Sequence, residues 1–237
     1  MLETILRPEV LWPTTTLSVE VKDYSHLNPK LAGIILEHER KVRAALKVTA
    51  AADLRPDAFV SNVLKWDYPE IRDFRQMVLQ SVRDYMALVG DPDDPGMKIT
   101  GINCWANVMR FGEGLAVHHH DPAFVSGHYQ VRNGSNGGAA KADGAGESGH
   151  TVYFRPGFMD RCHGVDAAVT ASNLWDEDWR VSVPAEEGRL FLFPSYVRHE
   201  VRPFMGDGER ISIGVDVFVK KQRSLINFRS KRWFIPE

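Results

Sequence analysis

Near residue 98 the chain changes its hydrophobic period. Before that point, Leu31, Ile34, Ile35, Val42 and Leu46 recur at helical spacing after an Asn28-Pro29 start, running to about Lys47. Ile71, Phe74, Val78, Val82, Tyr85 and Met86 do the same between Pro69 and Val89, where Gly90-Asp-Pro and Asp93-Asp-Pro-Gly stop the run. After that point, Lys98–Phe111, Tyr129–Arg132, His150–Phe154, Arg189–Phe193, Val197–Val201 and Arg210–Val219 are short, β-rich and parted by turn residues. A β-branched run over 10–22 reads as one opening strand with Pro13 near its edge. Several strands following two helices predict a mainly β protein with flanking helices. The expected architecture is a jelly-roll over about 98–220, with the helices of about 28–90 covering one sheet. The 237 residues suit a single domain over 1–237.

One segment escapes both periods. Residues 133–149, from Asn133 to Gly149, are almost all small or polar and cannot bury enough apolar surface to offset their ordering entropy. They are expected to form a flexible loop, either a plain insertion or a lid over substrate.

Charge and cysteine usage remove several classes. A net charge of −2 gives no general attraction to nucleic acid or to an anionic membrane. No run reaches the length a membrane span needs, and the N-terminal Met1-Leu-Glu-Thr-Ile-Leu-Arg lacks a signal-peptide layout. Cys104 and Cys162 are too few for a disulfide scaffold or a cysteine-rich zinc site, so a cytoplasmic location is expected. The basic stretch of Lys220-Lys-Gln-Arg223 and Arg229-Ser-Lys-Arg232 reads as a solvated face. Oligomeric state stays open, a homodimer included.

The chemistry concentrates around three consecutive histidines. In a strand, His118 and His120 share one face, while His119 and Asp121 share the other. Either pair suits iron(II), as two imidazoles or as an imidazole and a carboxylate. A third ligand is available at His199, inside a later strand. Past the Gly206-Asp-Gly208 turn, alternation puts Arg210 and Ser212 on one face and Ile211 and Ile213 on the apolar other. An inward arginine needs an anionic partner, and no carboxylate side chain is obviously supplied for it. A dicarboxylate ligand would supply one, through a bidentate guanidinium contact and the Ser212 hydroxyl.

Five motifs in order carry a resemblance: Trp105-Ala-Asn107, His118-His-His120, Ser126-Gly-His-Tyr129, Phe193-Pro-Ser195 and Arg210-Ile-Ser212, with Leu11-Trp-Pro and Ser61-Asn-Val upstream. On these the chain resembles the Fe(II)- and 2-oxoglutarate-dependent oxygenases, in particular a group of short bacterial and phage members. The resemblance implies a double-stranded β-helix (jelly-roll, cupin-like) core, iron at the histidine cluster with His199, and 2-oxoglutarate on Arg210 and Ser212. Asn107 and Tyr129 would be further cosubstrate contacts, or else a sheet-edge amide and a core tyrosine. It also implies O2 as co-reactant, release of succinate and CO2, and hydroxylation of a small-molecule or peptide substrate.

The ligand register stays open at this level. Ser126-Gly127 sets it at His118 and His120, a three-histidine set with Asp121 outside it, positioned to orient a ligand imidazole. The wider superfamily's His-x-Asp pattern sets it at His119 and Asp121. Two other classes are compatible with the residues. A cupin-like metal enzyme that does not use 2-oxoglutarate fits Gly112 and His118-x-His120, although the glutamate such a motif expects is replaced by the Pro122–Val125 stretch. A non-catalytic β-barrel binding protein is the other. Cys162-His163, Trp175 and Trp179 are expected to shape the substrate pocket.

Overall fold

The β-branched run at the N-terminus folds as two strands rather than one. β1 (Thr4–Leu11) and β2 (Thr14–Val21) pair antiparallel with Leu11 opposite Thr14. The computed structural model describes residues 3–11, 14–47, 62–90, 97–134, 145–156 and 180–221.

Helix α1 spans Tyr24–Leu46 and begins before the expected Asn28-Pro29 start. Burial of Leu27 and Leu31 holds the extra turn, which outweighs the hydrogen bond that Pro29 cannot donate. Helix α2 spans Pro69–Val89 as predicted, with proline in the first turn and Gly90 as its C-cap. The remaining strands are β3 (Met97–Met109), β4 (Leu115–His118), β5 (Val125–Arg132), β6 (Thr151–Phe154), β7 (Arg180–Val183), β8 (Arg189–Pro194), β9 (His199–Val201) and β10 (Arg210–Lys221). β7 was not expected from the sequence, and β4 stops at His118, short of the His119–Asp121 stretch that was also read as strand. Each has four residues, too few for alternation to register above the surrounding turns.

Two sheets face each other. The larger has the order β1-β2-β8-β5-β10-β3 and the smaller β4-β9-β6-β7, and together they make the double-stranded β-helix core. The helices cover the outer face of the larger sheet. Leu31, Ile35, Phe74, Val78 and Val82 share one core with Val131 of β5 and Ile211, Ile213, Val215 and Val217 of β10. Each such side chain stabilises the fold by about 1.5–3 kcal/mol through burial. The alternate residues of β10 face the other way, into the space between the sheets.

Of the expected 133–149 loop, residues 135–144 lie outside the described residues. Its C-terminal end is ordered: Ala145–Glu147 forms a 3-10 turn, and Gly149, at φ +67°, packs on Arg210. Cys162, His163, Trp175 and Trp179 lie outside the described residues, as does most of the basic C-terminal stretch. Among the described residues no helix is long and apolar enough to cross a membrane.

Candidate metal and cosubstrate site

Between the sheets lies a cavity of about 590 Å³. Its smaller-sheet wall is built by pairing: His118 of β4 stands opposite His199 of β9, which stands opposite Tyr153 of β6. His120 lies two residues beyond the end of β4, in a turn pinned by the Phe193-Pro-Ser195 motif. There the Ser195 carbonyl accepts from the His120 N–H at 3.1 Å, and the Ser195 hydroxyl donates to the Ala123 carbonyl.

Three imidazoles converge. Ring nitrogens of His118, His120 and His199 all lie within 4.8 Å of one another, and the Nε2 atoms of His120 and His199 are 3.3 Å apart. Each Nδ1 already faces an acceptor: the Ala116 carbonyl at 2.7 Å for His118, the Val197 carbonyl at 3.0 Å for His199, and the Asp216 carboxylate at 3.3 Å for His120. Acceptors at Nδ1 fix the N–H there and leave each Nε2 lone pair free, the arrangement of metal-binding histidines. Ring nitrogens about 2.1 Å from one ion, on one face of it, stand about 3 Å apart, so this donor set fits a divalent transition metal. Burial depresses the basicity of His118 and His199, which keeps both neutral and ligand-competent.

His119 and Asp121, the competing pair, are both exposed and outside this cluster. His119 lies just past the end of β4 and is open to solvent. The carboxylate that faces an imidazole of the cluster is Asp216, at 3.3 Å from His120 Nδ1, and the sequence reading passed over it. Asp216 shares the inward parity of Arg210, Ser212 and Gly214 on β10, and extending that alternation would have found it.

At the other end of β10, Arg210 is 1% exposed. Its Nε donates to the Gly149 carbonyl at 2.8 Å, and its Nη1 lies 3.4 Å from Ser212 Oγ and 3.7 Å from Met109 Sδ. A Cβ on Gly149 would come within 3.1 Å of Arg210 Cδ, so a glycine there lets the backbone lie against the guanidinium. Among the described residues no carboxylate pairs with Arg210, and burial lowers its pKa to about 10. Asn107 of β3, opposite Ser212, lines the same cavity, and its buried Oδ1 has no donor among the described residues.

A comparison with protein families agrees with this geometry. Residues 103–216 match the family described as “Putative 2OG-Fe(II) oxygenase”, where 2OG is 2-oxoglutarate. This segment is similar to the 2OG-Fe(II) oxygenases. Enzymes of that family are oxidoreductases that use Fe(II), 2-oxoglutarate and O2. No curated protein sequence matches the chain. Solved structures share the fold. A prolyl-4-hydroxylase from Pseudomonas putida is 16% identical with TM-score 0.51, over 84% of this chain and 87% of that one. A prolyl hydroxylase of Trichoplax adhaerens, in complex with a hypoxia inducible factor peptide fragment, is 16% identical with TM-score 0.52, over 89% and 86%.

Tyr129 does not reach the cavity. It points to the helix side of β5, packs on Phe74 and donates its hydroxyl to Asn28 Oδ1 at 2.7 Å. Its odd-numbered position on β5 puts it on the apolar face, so the core-tyrosine alternative holds and the cosubstrate contact does not. The even-numbered neighbour His128 lines the cavity instead. Its Nε2 is 2.6 Å from the Tyr153 hydroxyl, and its buried Nδ1 has no partner among the described residues. Desolvation takes the His128 pKa down to about 3, so this imidazole is neutral. Trp105 lies across Gly214, where a Cβ would meet its ring at 2.4 Å, and its ring centroid is 5.5 Å from that of His120.

Proposed function

We propose that the protein is a 2OG-Fe(II) oxygenase that hydroxylates a small molecule or peptide, with iron on the Nε2 atoms of His118, His120 and His199 and 2-oxoglutarate anchored by Arg210. The observation that carries this reading is Arg210. A fully buried guanidinium with no carboxylate among the described residues, in the same cavity as three converging imidazoles, is an anion site awaiting its anion. When bound, iron and 2-oxoglutarate supply the oxidation, in which O2 and the cosubstrate give succinate, CO2 and one oxygen atom inserted into a substrate C–H bond.

The chain's own residues bind, orient and keep the site dry. The three imidazoles would hold the metal through their Nε2 atoms. Arg210 takes the distal carboxylate with the Ser212 hydroxyl beside it, and Asn107 turns an amide toward the same space. Trp105 lies along one wall of the cavity. Phe191 and Phe193 pack behind Tyr153 and His199 and exclude water from the cluster. A fixed guanidinium sets both the distance and the orientation of a dicarboxylate, which a flexible lysine would do less well.

The test joins turnover to binding. Wild type should convert 2-oxoglutarate to succinate only with Fe(II). In calorimetry, Arg210→Ala should raise the 2-oxoglutarate dissociation constant roughly 10- to 100-fold, as loss of a charge-assisted pair implies. Unchanged affinity in that variant would sink the Arg210 assignment. Metal turnover without succinate would favour a cupin-like enzyme that uses another oxidant.

A further inference from the structure

Resting on that ligand set, we propose that Asp216 is a positioning residue for the metal, holding His120 in ligating orientation and supplying the negative charge that three neutral imidazoles lack. The Asp216 carboxylate spans two partners. Its oxygens lie 3.2 and 3.3 Å from His120 Nδ1, and Oδ1 accepts the Ser126 hydroxyl at 2.9 Å. Ser126 in turn is fully buried on β5, next to β10, and its hydroxyl also lies 3.2 Å from the Val215 carbonyl. The carboxylate is thus fixed from its own sheet while it reaches the imidazole that leaves the sheet.

His120 needs this more than its companions do. His118 and His199 belong to strands, and each aims its Nδ1 at the carbonyl two residues back in its own chain. His120 sits in a turn, and its Nδ1 has no such local acceptor. A carboxylate from β10 does that work across the cavity. An anionic acceptor at Nδ1 makes the imidazole a stronger donor at Nε2, and losing such a partner commonly weakens metal binding 10- to 100-fold. The chain so places a carboxylate one imidazole away from a metal whose direct ligands carry no charge. The charge reaches the ion while the coordination position stays free.

The experiment uses the full chain, stripped of metal by chelation and titrated with Co(II) in the absence of 2-oxoglutarate and substrate. Affinity is read by calorimetry and ligand field by the visible cobalt bands. Asp216→Ala should bind Co(II) about 10- to 100-fold more weakly, with shifted bands. Asp216→Asn keeps the shape and an acceptor oxygen but not the charge, and should fall between the two. His199→Ala, which removes a direct ligand, should lose the cobalt spectrum altogether. Wild-type affinity and bands in both Asp216 variants, with His199→Ala blind to cobalt, would overturn the role of Asp216 and leave the ligand set standing. Cobalt held equally well by His199→Ala would overturn the ligand set, and this proposal with it. Should Asp216→Ala fail to fold by circular dichroism, Asp216→Asn decides, since equal affinity and bands there exclude a charge effect.

Discussion

Glu39 and Arg210 are both buried charges, 3% and 1% exposed, on opposite sides of the larger sheet, and the chain treats them oppositely. Glu39, on α1, is covered by two guanidinium groups. Arg110 donates to both its oxygens at 2.8 Å and Arg43 to one at 2.9 Å. Arg210, inside the barrel, meets a carbonyl, a thioether and a hydroxyl. Desolvation opposes both charges. For Glu39 it is the largest single influence, yet the bonds from Arg110 and Arg43 together outweigh it and hold the carboxyl below its ordinary range. For Arg210 nothing comparable offsets it, and its pKa drops to about 10. The helix side satisfies its charge within the fold. The cavity side leaves one for a ligand to satisfy, which is the difference between a structural and a functional buried ion.

The two faces of β10 should respond differently to the same kind of change. Ile213 is fully buried on the helix side. Ile213→Ala should cost about 2–5 kcal/mol of stability through lost burial and the cavity left behind, read as a lowered denaturant midpoint. The folded fraction should still bind 2-oxoglutarate with wild-type affinity. Weakened cosubstrate binding with stability intact would erase the distinction between the faces.

On the cavity side the expected pattern is the reverse. Arg210→Met keeps most of the volume and removes a desolvated charge, at the cost of one hydrogen bond to the Gly149 carbonyl. Stability without ligand should change by about 1 kcal/mol or less. Wild type with Fe(II) should gain about 2.7 kcal/mol from 2-oxoglutarate at 100 times its dissociation constant, and the variant should gain almost none at that concentration. A variant that is stabilised as much as wild type would place the anion elsewhere.

Much of this contrast was legible in the sequence, because strand alternation is a local property. Arg210 and Ser212 opposite Ile211 and Ile213 could be read directly, as could α2 with its proline start and glycine stop. Where the reading failed, the deciding contact was distant. Tyr129 was taken with its motif rather than its parity, and its partner Asn28 is on α1, 101 residues away. The choice between His118/His120 and His119/Asp121 turns on how β4 pairs with β9, across 81 residues, and four-residue strands leave too little pattern to announce such a pairing. Tyr153 and His128 belong to different sheets, so no spacing within the chain couples them. Asp216 was missed for a simpler reason, since its parity was visible and the alternation was not followed far enough.

The helix-side charge gives the smallest and most pH-dependent effect. Glu39 has a folded pKa below its ordinary value of 4.5, so near and below that value the unfolded chain binds its proton more readily than the folded one. Stability from this group is therefore fully present above pH 4.5 and is lost as the pH falls through the folded pKa. Arg110 keeps a side-chain exposure of 32%, so solvent screening trims the contribution to about 1 kcal/mol. Glu39→Gln should then be about 1 kcal/mol less stable than wild type at neutral pH, with the gap narrowing in acid as the wild-type carboxylate protonates. Arg210 obeys the opposite end of the scale. Its proton is retained in both states until about pH 10, so Arg210→Met should track wild type with no change of gap across the acidic window. Urea unfolding at neutral pH and at successively lower pH measures both. A constant gap for Glu39→Gln would mean that packing of the α1 side chain, rather than its charge, is what Arg110 and Arg43 stabilise.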